Sequence, residues 1–174
     1  MKKVVVLLIT MLIIVMFFLV QMKLLNNYPA FGVTPNIGIV LISCIGVVSG
    51  MVFGGCIGAF YGLLFDISFG KTLGVHALLF MLIGAISGLF KSKISIDNRF
   101  SLVIMVILNT VIFETILCFT SCLLYSIQID WMYLGKVILV EEFYNIFLTF
   151  VLYKPLIFWG DVLNKSQSSY YILH

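Results

Sequence analysis

Charged side chains are scarce in this sequence, and their scarcity excludes most soluble protein classes. Asp, Glu, Lys and Arg make up 10% of the 174 residues, against roughly a quarter in an average soluble domain. Hydrophobic residues make up 63%, and the mean hydropathy is +1.22. The net charge of +3 is too small and too scattered to indicate nucleic-acid binding. The composition predicts an integral membrane protein in contact with the lipid bilayer.

Groups that could perform catalysis are also few. The adjacent acids Glu141 and Glu142 invite comparison with intramembrane proteases of the prenyl-endopeptidase type, but the spaced arginine that follows such a pair is missing. His76 is the only histidine in an apolar segment, and no Gly-x-Ser-x motif supplies a serine nucleophile. General acid–base chemistry needs several converging groups. We therefore expect no enzymatic activity, no catalytic residues and no cofactor.

The cysteines do not form a recognisable metal or disulfide pattern. All four, Cys44, Cys56, Cys118 and Cys122, lie in apolar segments. Cys118 and Cys122 share a helical face, but both histidines of the chain are distant from them in sequence. A zinc site would need such partners at ligand spacing. We interpret the cysteines as small apolar residues and expect no metal site.

Glycine, by contrast, is abundant and regularly placed. The stretch from Ile37 to Gly74 carries glycines in one phase with a step of four, interrupted once by Ile42: Gly38, Gly46, Gly50, Gly54, Gly58 and Gly62. Residues four apart lie on one helical face, and small residues let helix backbones approach closely in lipid. The next position in phase is Asp66, an acid in an apolar setting, where such groups are usually functional. We expect the packing centre of the molecule here.

Long apolar segments predict an all-α fold, a six-helix membrane bundle formed by a single domain over residues 1–174. One helix from Asn36 to Gly70 would be about 52 Å long, too long for a hydrocarbon core of ~30 Å, so we place a break at Gly54-Gly55. No cleavage site follows the first apolar run, which indicates an uncleaved helix. The predicted spans are approximately 4–20, 36–53, 56–69, 73–90, 100–125 and 133–158, with a polar tail from Gly160.

Lysine and arginine predict the orientation of the bundle, because cytoplasmic loops carry an excess of both. With the N-terminus inside, most basic residues fall on the cytoplasmic side: Lys2, Lys3, Lys91, Lys93, Arg99, Lys154 and Lys165. Only Lys23, Lys71 and Lys136 remain on the outer side. We therefore expect both termini in the cytoplasm, with Asp66 and Asp130 toward the outer face.

Two acids in the predicted spans have several interpretations. Asp66 lies five residues before Lys71, and three interpretations of it are open. It is a surface acid neutralised by that lysine, a cap of the next helix, or a structural or partner contact within the bundle. Glu114 lies mid-way through the fifth span, where an unpaired charge would cost several kcal/mol. It must be protonated, face the interior, or pair with a polar group such as Asn109, Asn145 or a lysine.

The sixth span carries the two adjacent glutamates already noted. Because neighbouring residues point in different directions on a helix, Glu141 and Glu142 cannot share one face. We expect one of them to face the bundle or a cavity and the other to reach toward Lys136.

Several motifs resemble the rod shape-determining protein MreD family. They are Pro35-Asn36, the run 58–66 (GAFYGLLFD), Gly70, the run 73–78 (LGVHAL), the run 142–145 (EFYN) and the run 152–156 (LYKPL). The length, the six spans and the cytoplasmic termini also fit this family along the whole chain.

The resemblance implies a non-enzymatic component of the bacterial cell-elongation machinery in the cell membrane. Members of the family bind MreC directly, and through it they are linked to MreB filaments, the RodA glycosyltransferase and its transpeptidase partner, which build peptidoglycan. The resemblance also implies a fold similar to the S-components of energy-coupling-factor vitamin transporters. The sequence leaves open whether the protein forms a homodimer.

A substrate-binding S-component is the main alternative function. That class docks on its transporter through small residues four apart in the first helix, and the first span here contains neither alanine nor glycine. A ligand pocket also needs converging polar groups, for which Asn26, Asn27, Asp66 and Asp130 are a thin supply.

We select eight residues as structural or partner-contact candidates. The glycines are expected to pack the helices, and Asp66, Asn36 and Asn145 are expected to fix helix positions through buried hydrogen bonds. The candidates are Asn36, Gly54, Gly58, Gly62, Asp66, Gly74, Glu142 and Asn145.

Overall fold

The computed structural model describes residues 2–25, 32–69, 74–91, 99–126 and 128–168. The fold is all-α, as the sequence predicts. Its helices are α1 (Lys2–Val20), α2 (Ile37–Ser49), α3 (Met51–Phe69), α4 (Val75–Leu89), α5 (Arg99–Tyr125) and α6 (Trp131–Ser168). A π-helical turn, Gln21–Leu25, extends α1.

Helix α2 lies at the centre of the bundle. All thirteen of its residues are buried, and it contacts each of the other five helices. A helix that is apolar all round has no face suited to water and is stable only when surrounded. Gly38 and Gly46 of α2 leave room for neighbouring side chains. A Cβ on Gly38 would overlap the Tyr61 ring, and a Cβ on Gly46 would overlap the Ser87 side chain.

The break between the second and third helices lies at Gly50, and the predicted break at Gly54-Gly55 is wrong. Gly50 has φ +97°, a left-handed conformation that glycine adopts without steric cost. Its backbone N–H donates to the Gly46 carbonyl at 2.8 Å, and its own carbonyl accepts from Gly54 N at 2.9 Å. Helix α3 therefore begins at once, and Gly54-Gly55 lies inside it.

Helix α6 is longer than the sequence predicts. It continues through Pro155 to Ser168, so the predicted polar tail from Gly160 is helical over its first nine residues, and residues 169–174 lie outside the described part. A proline removes one backbone donor. In a membrane protein, neighbouring groups can satisfy the carbonyl that it frees, so the helix need not end there.

Three of the described helical segments are long and apolar enough to cross a membrane: Val5–Lys23, Met51–Ser68 and Arg99–Tyr125. Helices α2 and α4 are apolar but shorter, and the six spans stay a prediction. Several residues of the predicted loops, among them Asn26, Asn27 and Lys71, lie outside the described part.

An aromatic cluster joins α3, α4 and α5. The Phe80 ring centroid lies 4.9 Å from that of Tyr61 and 4.8 Å from that of Phe113, and all three side chains are fully buried. Such contacts contribute about 0.5–1.5 kcal/mol each beyond area burial. The cluster holds the three helices together just below the polar residues at one end of the bundle.

Candidate functional site

Helices α3 and α4 pack against each other along an antiparallel glycine seam. A Cβ on Gly54 would lie 2.6 Å from the Gly84 carbonyl oxygen, one on Gly58 would overlap the Phe80 carbonyl, and one on Gly62 would overlap the His76 carbonyl. The two backbones are therefore in direct contact over about two helical turns. Without a hydrophobic driving force in lipid, this close approach provides the van der Waals contact that joins membrane helices.

Asp66 caps the start of α4. Its Oδ2 accepts from the backbone N–H groups of Gly74 at 2.8 Å and Ala77 at 3.1 Å, and its Oδ1 accepts from His76 N at 3.1 Å. The same Oδ1 lies 2.8 Å from the His76 Nδ1. Helix N-termini carry free donors and a positive dipole end, both of which favour a carboxylate. Of the three interpretations left open for Asp66, the structure shows the helix cap. The capping residue is 2% exposed.

Gly74 belongs to the same arrangement. It is the N-cap residue of α4 and has φ +102°, where a side chain would be strained. Its backbone therefore turns sharply enough for three donors within four residues, those of Gly74, His76 and Ala77, to face one carboxylate. Glycine contacts join α3 and α4 along their length, and the charged cap joins them at one end.

Asn36 does not fix its helix through a buried hydrogen bond, and this expectation is wrong. It precedes α2, but its side chain makes no cap hydrogen bond, and its Oδ1 has no partner among the described residues. Gln21 occupies that position instead: its Oε1 accepts from Ile37 N at 2.9 Å and its Nε2 donates to the Pro35 carbonyl at 2.7 Å. The π-helical turn aims Gln21 at the start of α2. The sequence signal for this role of Gln21 is a single amide side chain at the end of an apolar run.

Asn145 links α6 to α5. Its Nδ2 donates to the Thr110 Oγ1 at 3.0 Å, and the residue is fully buried. Sequence reasoning missed a second junction, in which the Asn109 amide donates to Ser43 Oγ and Ser87 Oγ, each at 2.7 Å. That amide ties α5 to both α2 and α4. A single asparagine in an apolar helix is costly unless paired, which was the available signal.

Glu114 on α5 and Glu141 on α6 line the same cavity at the α5–α6 interface. The Asn109 amide donates to Ser43 and Ser87, so it is not the partner of Glu114. Glu141 is 2% exposed. Of the two adjacent glutamates, Glu141 is the one that faces the interior.

Glu142 stands apart from this pair. Both of its carboxyl oxygens are buried, and they have no hydrogen-bond partner among the described residues. The expected approach to Lys136 is therefore not made. The structure thus does not gather the eight candidates. Seven of them lie at the glycine seam, the α4 cap, the α5–α6 interface and the start of α2, and Glu142 lies apart from these places.

A family model described as rod shape-determining protein MreD matches residues 1–163 of the chain. The chain belongs to the MreD family. The match covers all six helices, apart from the last residues of α6. Neither the comparison with curated proteins nor that with solved structures gives a match.

Membership in the MreD family assigns the protein a role in determining rod shape, as a structural membrane protein rather than a member of a known enzyme family. The motif run 58–66 lies within α3, contains two of the three seam glycines, Gly58 and Gly62, and ends at the capping Asp66. Because no solved structure matches, the likeness to transporter S-components stays a prediction.

The four cysteines of this MreD-family protein are all unpaired, and only Cys44 is buried. Among the described residues, no three His, Cys, Asp or Glu side chains come together as metal ligands would.

Proposed function

We propose that this protein is a non-enzymatic scaffold of the cell-elongation machinery that binds MreC directly. Through MreC it helps to couple MreB filaments in the cytoplasm to peptidoglycan synthesis by RodA and its transpeptidase partner. Membership in the MreD family over residues 1–163 supports this proposal. The structural observation that supports it is that the side chains of Asp66, Gln21 and Asn109 bind neighbouring helices. Such contacts are expected of a protein that acts as a scaffold.

The outer surfaces of α1, α5 and α6 suit contact with lipid and with partner helices. Large apolar side chains are exposed along them, including Leu12, Leu123, Met132 and Phe143. In a bilayer a transmembrane helix of a bitopic partner would dock on such a face by van der Waals packing. The buried α2 and the glycine seam would keep that face rigid. The proposal further places both termini in the cytoplasm, which cysteine labelling from either side of the membrane would test.

The decisive experiment is purification of the tagged protein from its own host in a gentle detergent, followed by mass spectrometry of the proteins that accompany it. Recovery of MreC, with or without RodA and its transpeptidase, is the expected result. An untagged culture processed in parallel removes proteins that bind the resin. Repeated recovery without MreC would contradict direct binding.

A substrate-binding subunit for uptake remains the second candidate, because the structure contains a polar cavity at one end of the bundle, lined by Glu114, Glu141 and His76. The same purification separates the two functions. An uptake subunit would bring with it a transporter module containing ATPases, and a scaffold would not.

A further inference from the structure

The polar cavity has the size of a small-molecule site. Its volume is about 230 Å³, and it lies where α1, α3 and α5 end and α2, α4 and α6 begin. An engineered protein cavity of about 150 Å³ is large enough to hold benzene, so this one can hold a small organic molecule. A cleft of about 400 Å³ between α5 and α6 shares Glu114 and Tyr133 with the cavity and extends to Asp130. The cleft provides a path of entry.

Acidic side chains line the cavity. The carboxyl groups of Glu114 and Glu141 both face it, and a nearby cation favours the negatively charged form of a carboxyl group. Asp130 adds a further acid along the entry path, where its Oδ1 caps α6 through Met132 N at 3.0 Å. No lysine or arginine is among the described lining residues of either space. An anion would meet repulsion here, and a cation would meet attraction.

An unused acceptor also lines the cavity. Asn36 is 9% exposed, and its Oδ1 has no hydrogen-bond partner among the described residues. A buried carbonyl oxygen without a donor is unfavourable, so an N–H group of a ligand at this position would satisfy it. The His76 Nδ1 lies 2.8 Å from the Asp66 Oδ1, which leaves Nε2 as the ring nitrogen that can contact a ligand.

Aromatic rings complete the surroundings. Phe65, Phe113 and Tyr133 line the same cavity, and aromatic faces attract cations within about 6 Å of the ring centroid. Carboxylate, amide oxygen and aromatic ring together form the usual environment of an organic cation. A bare metal ion is a poorer match, because the described residues do not bring three metal-ligating side chains together.

We propose that this cavity binds a small organic cation carrying a primary ammonium or guanidinium group. The cationic group lies against the Glu114–Glu141 pair and donates to the Asn36 Oδ1, while its carbon chain packs on the phenylalanine rings. The proposal does not depend on MreC binding, since a scaffold and an uptake subunit could both carry such a site.

Calorimetric titration of the purified full-length protein in detergent tests this proposal. The probes are butylammonium, 1,4-diaminobutane and agmatine, with butan-1-ol and butyrate as uncharged and anionic controls of matched length. We expect at least one cation to bind about tenfold or more tightly than butan-1-ol, as charge-assisted hydrogen bonds require, and we expect no butyrate binding. Equal binding of alcohol and amine, binding of butyrate or Mg²⁺ in preference, or no amine binding would each overturn it.

Matched variants assign the binding to the carboxyl pair. Glu141→Gln should weaken amine binding about tenfold or more, whereas Glu142→Gln, one residue along and outside the cavity lining, should leave it unchanged. Circular dichroism checks that both variants keep the helical fold. Should Glu141→Gln fail to fold, Glu114→Gln provides the same test. Undiminished binding in a folded cavity variant would contradict the proposal.

Discussion

Two halves of the bundle are held together by different means. Between α3 and α4, glycines bring the backbones into direct contact at Gly54, Gly58 and Gly62. Between α5 and α6, polar side chains make the contacts, and the helices diverge around a cleft of about 400 Å³. The comparison teaches that small residues close an interface, while larger polar residues leave space that a ligand can enter. The α3–α4 half is suited to rigidity, and the α5–α6 half is suited to binding a ligand.

The largest effect is expected in the glycine seam. Gly58→Ala places a methyl group on the Phe80 carbonyl, which must force the helices apart, and overpacking of this kind costs about 1–3 kcal/mol or more. Gly55→Ala is the matched control in the same helix, because its Cβ would meet the nearest atom at 3.6 Å. Thermal unfolding in detergent should show a lower Tm for the first variant and an equal or higher Tm for the second. Equal Tm values would mean that the seam can open without cost.

The next effect compares two aspartate caps. Asp66→Asn removes the charge from a buried cap with three backbone donors and one imidazole, and we expect a loss of about 2–3 kcal/mol. Asp130→Asn alters an exposed cap with two donors, and the loss should be below about 1 kcal/mol. Unfolding in a graded denaturing detergent would measure both. A reversed order would contradict the assignment of Asp66 as the stronger of the two caps.

A smaller effect distinguishes the predicted cap of α2 from the observed one. Gln21→Leu removes two buried hydrogen bonds, to Pro35 and Ile37, and should destabilise the protein by about 1–2 kcal/mol. Asn36→Leu removes no side-chain hydrogen bond to α2, so its effect without ligand should be smaller than that of Gln21→Leu. The same unfolding measurement applies to both variants. A larger loss for Asn36→Leu would restore the role that the sequence suggests.

The smallest effect is expected at Glu142. Its carboxyl oxygens have no hydrogen-bond partner among the described residues, so Glu142→Gln removes no contact and should change stability by less than about 0.5 kcal/mol. Glu141→Gln, which alters a side chain that is only 2% exposed, should have the greater effect on unfolding. A clear loss on changing Glu142 alone would reveal a partner for this residue.

The fold class followed from composition and apolar segment length, since both are properties of the chain itself. The glycine step of four likewise indicated which face of α3 packs, because helical periodicity does not depend on the partner. The position of the break between α2 and α3 could not be predicted from the sequence. Gly50, Gly54 and Gly55 have equal backbone freedom in the sequence, and only contact with α4 decides that Gly54 must stay helical.

The polar contacts were harder to predict, because they depend on which helices become neighbours. A cap of the next helix was one of three interpretations open for Asp66, because this acid lies a few residues before α4. Glu114 and Glu141 are distant in sequence, and they line one cavity only when α5 and α6 lie side by side. Gln21 caps α2 from a π-helical turn, a local geometry that no periodic pattern indicates.

The central claim is that the shape-determining role depends on the closed α3–α4 seam. It is tested most directly in the native host, where the chromosomal copy is replaced by Gly62→Leu or by Gly135→Leu, and cell aspect ratio is measured by microscopy. A Cβ on Gly62 would overlap the α4 backbone, whereas one on Gly135 has no atom within 4 Å. The account predicts loss of rod shape with the first variant and normal rods with the second. Normal rods with both variants, at normal protein levels, would contradict it.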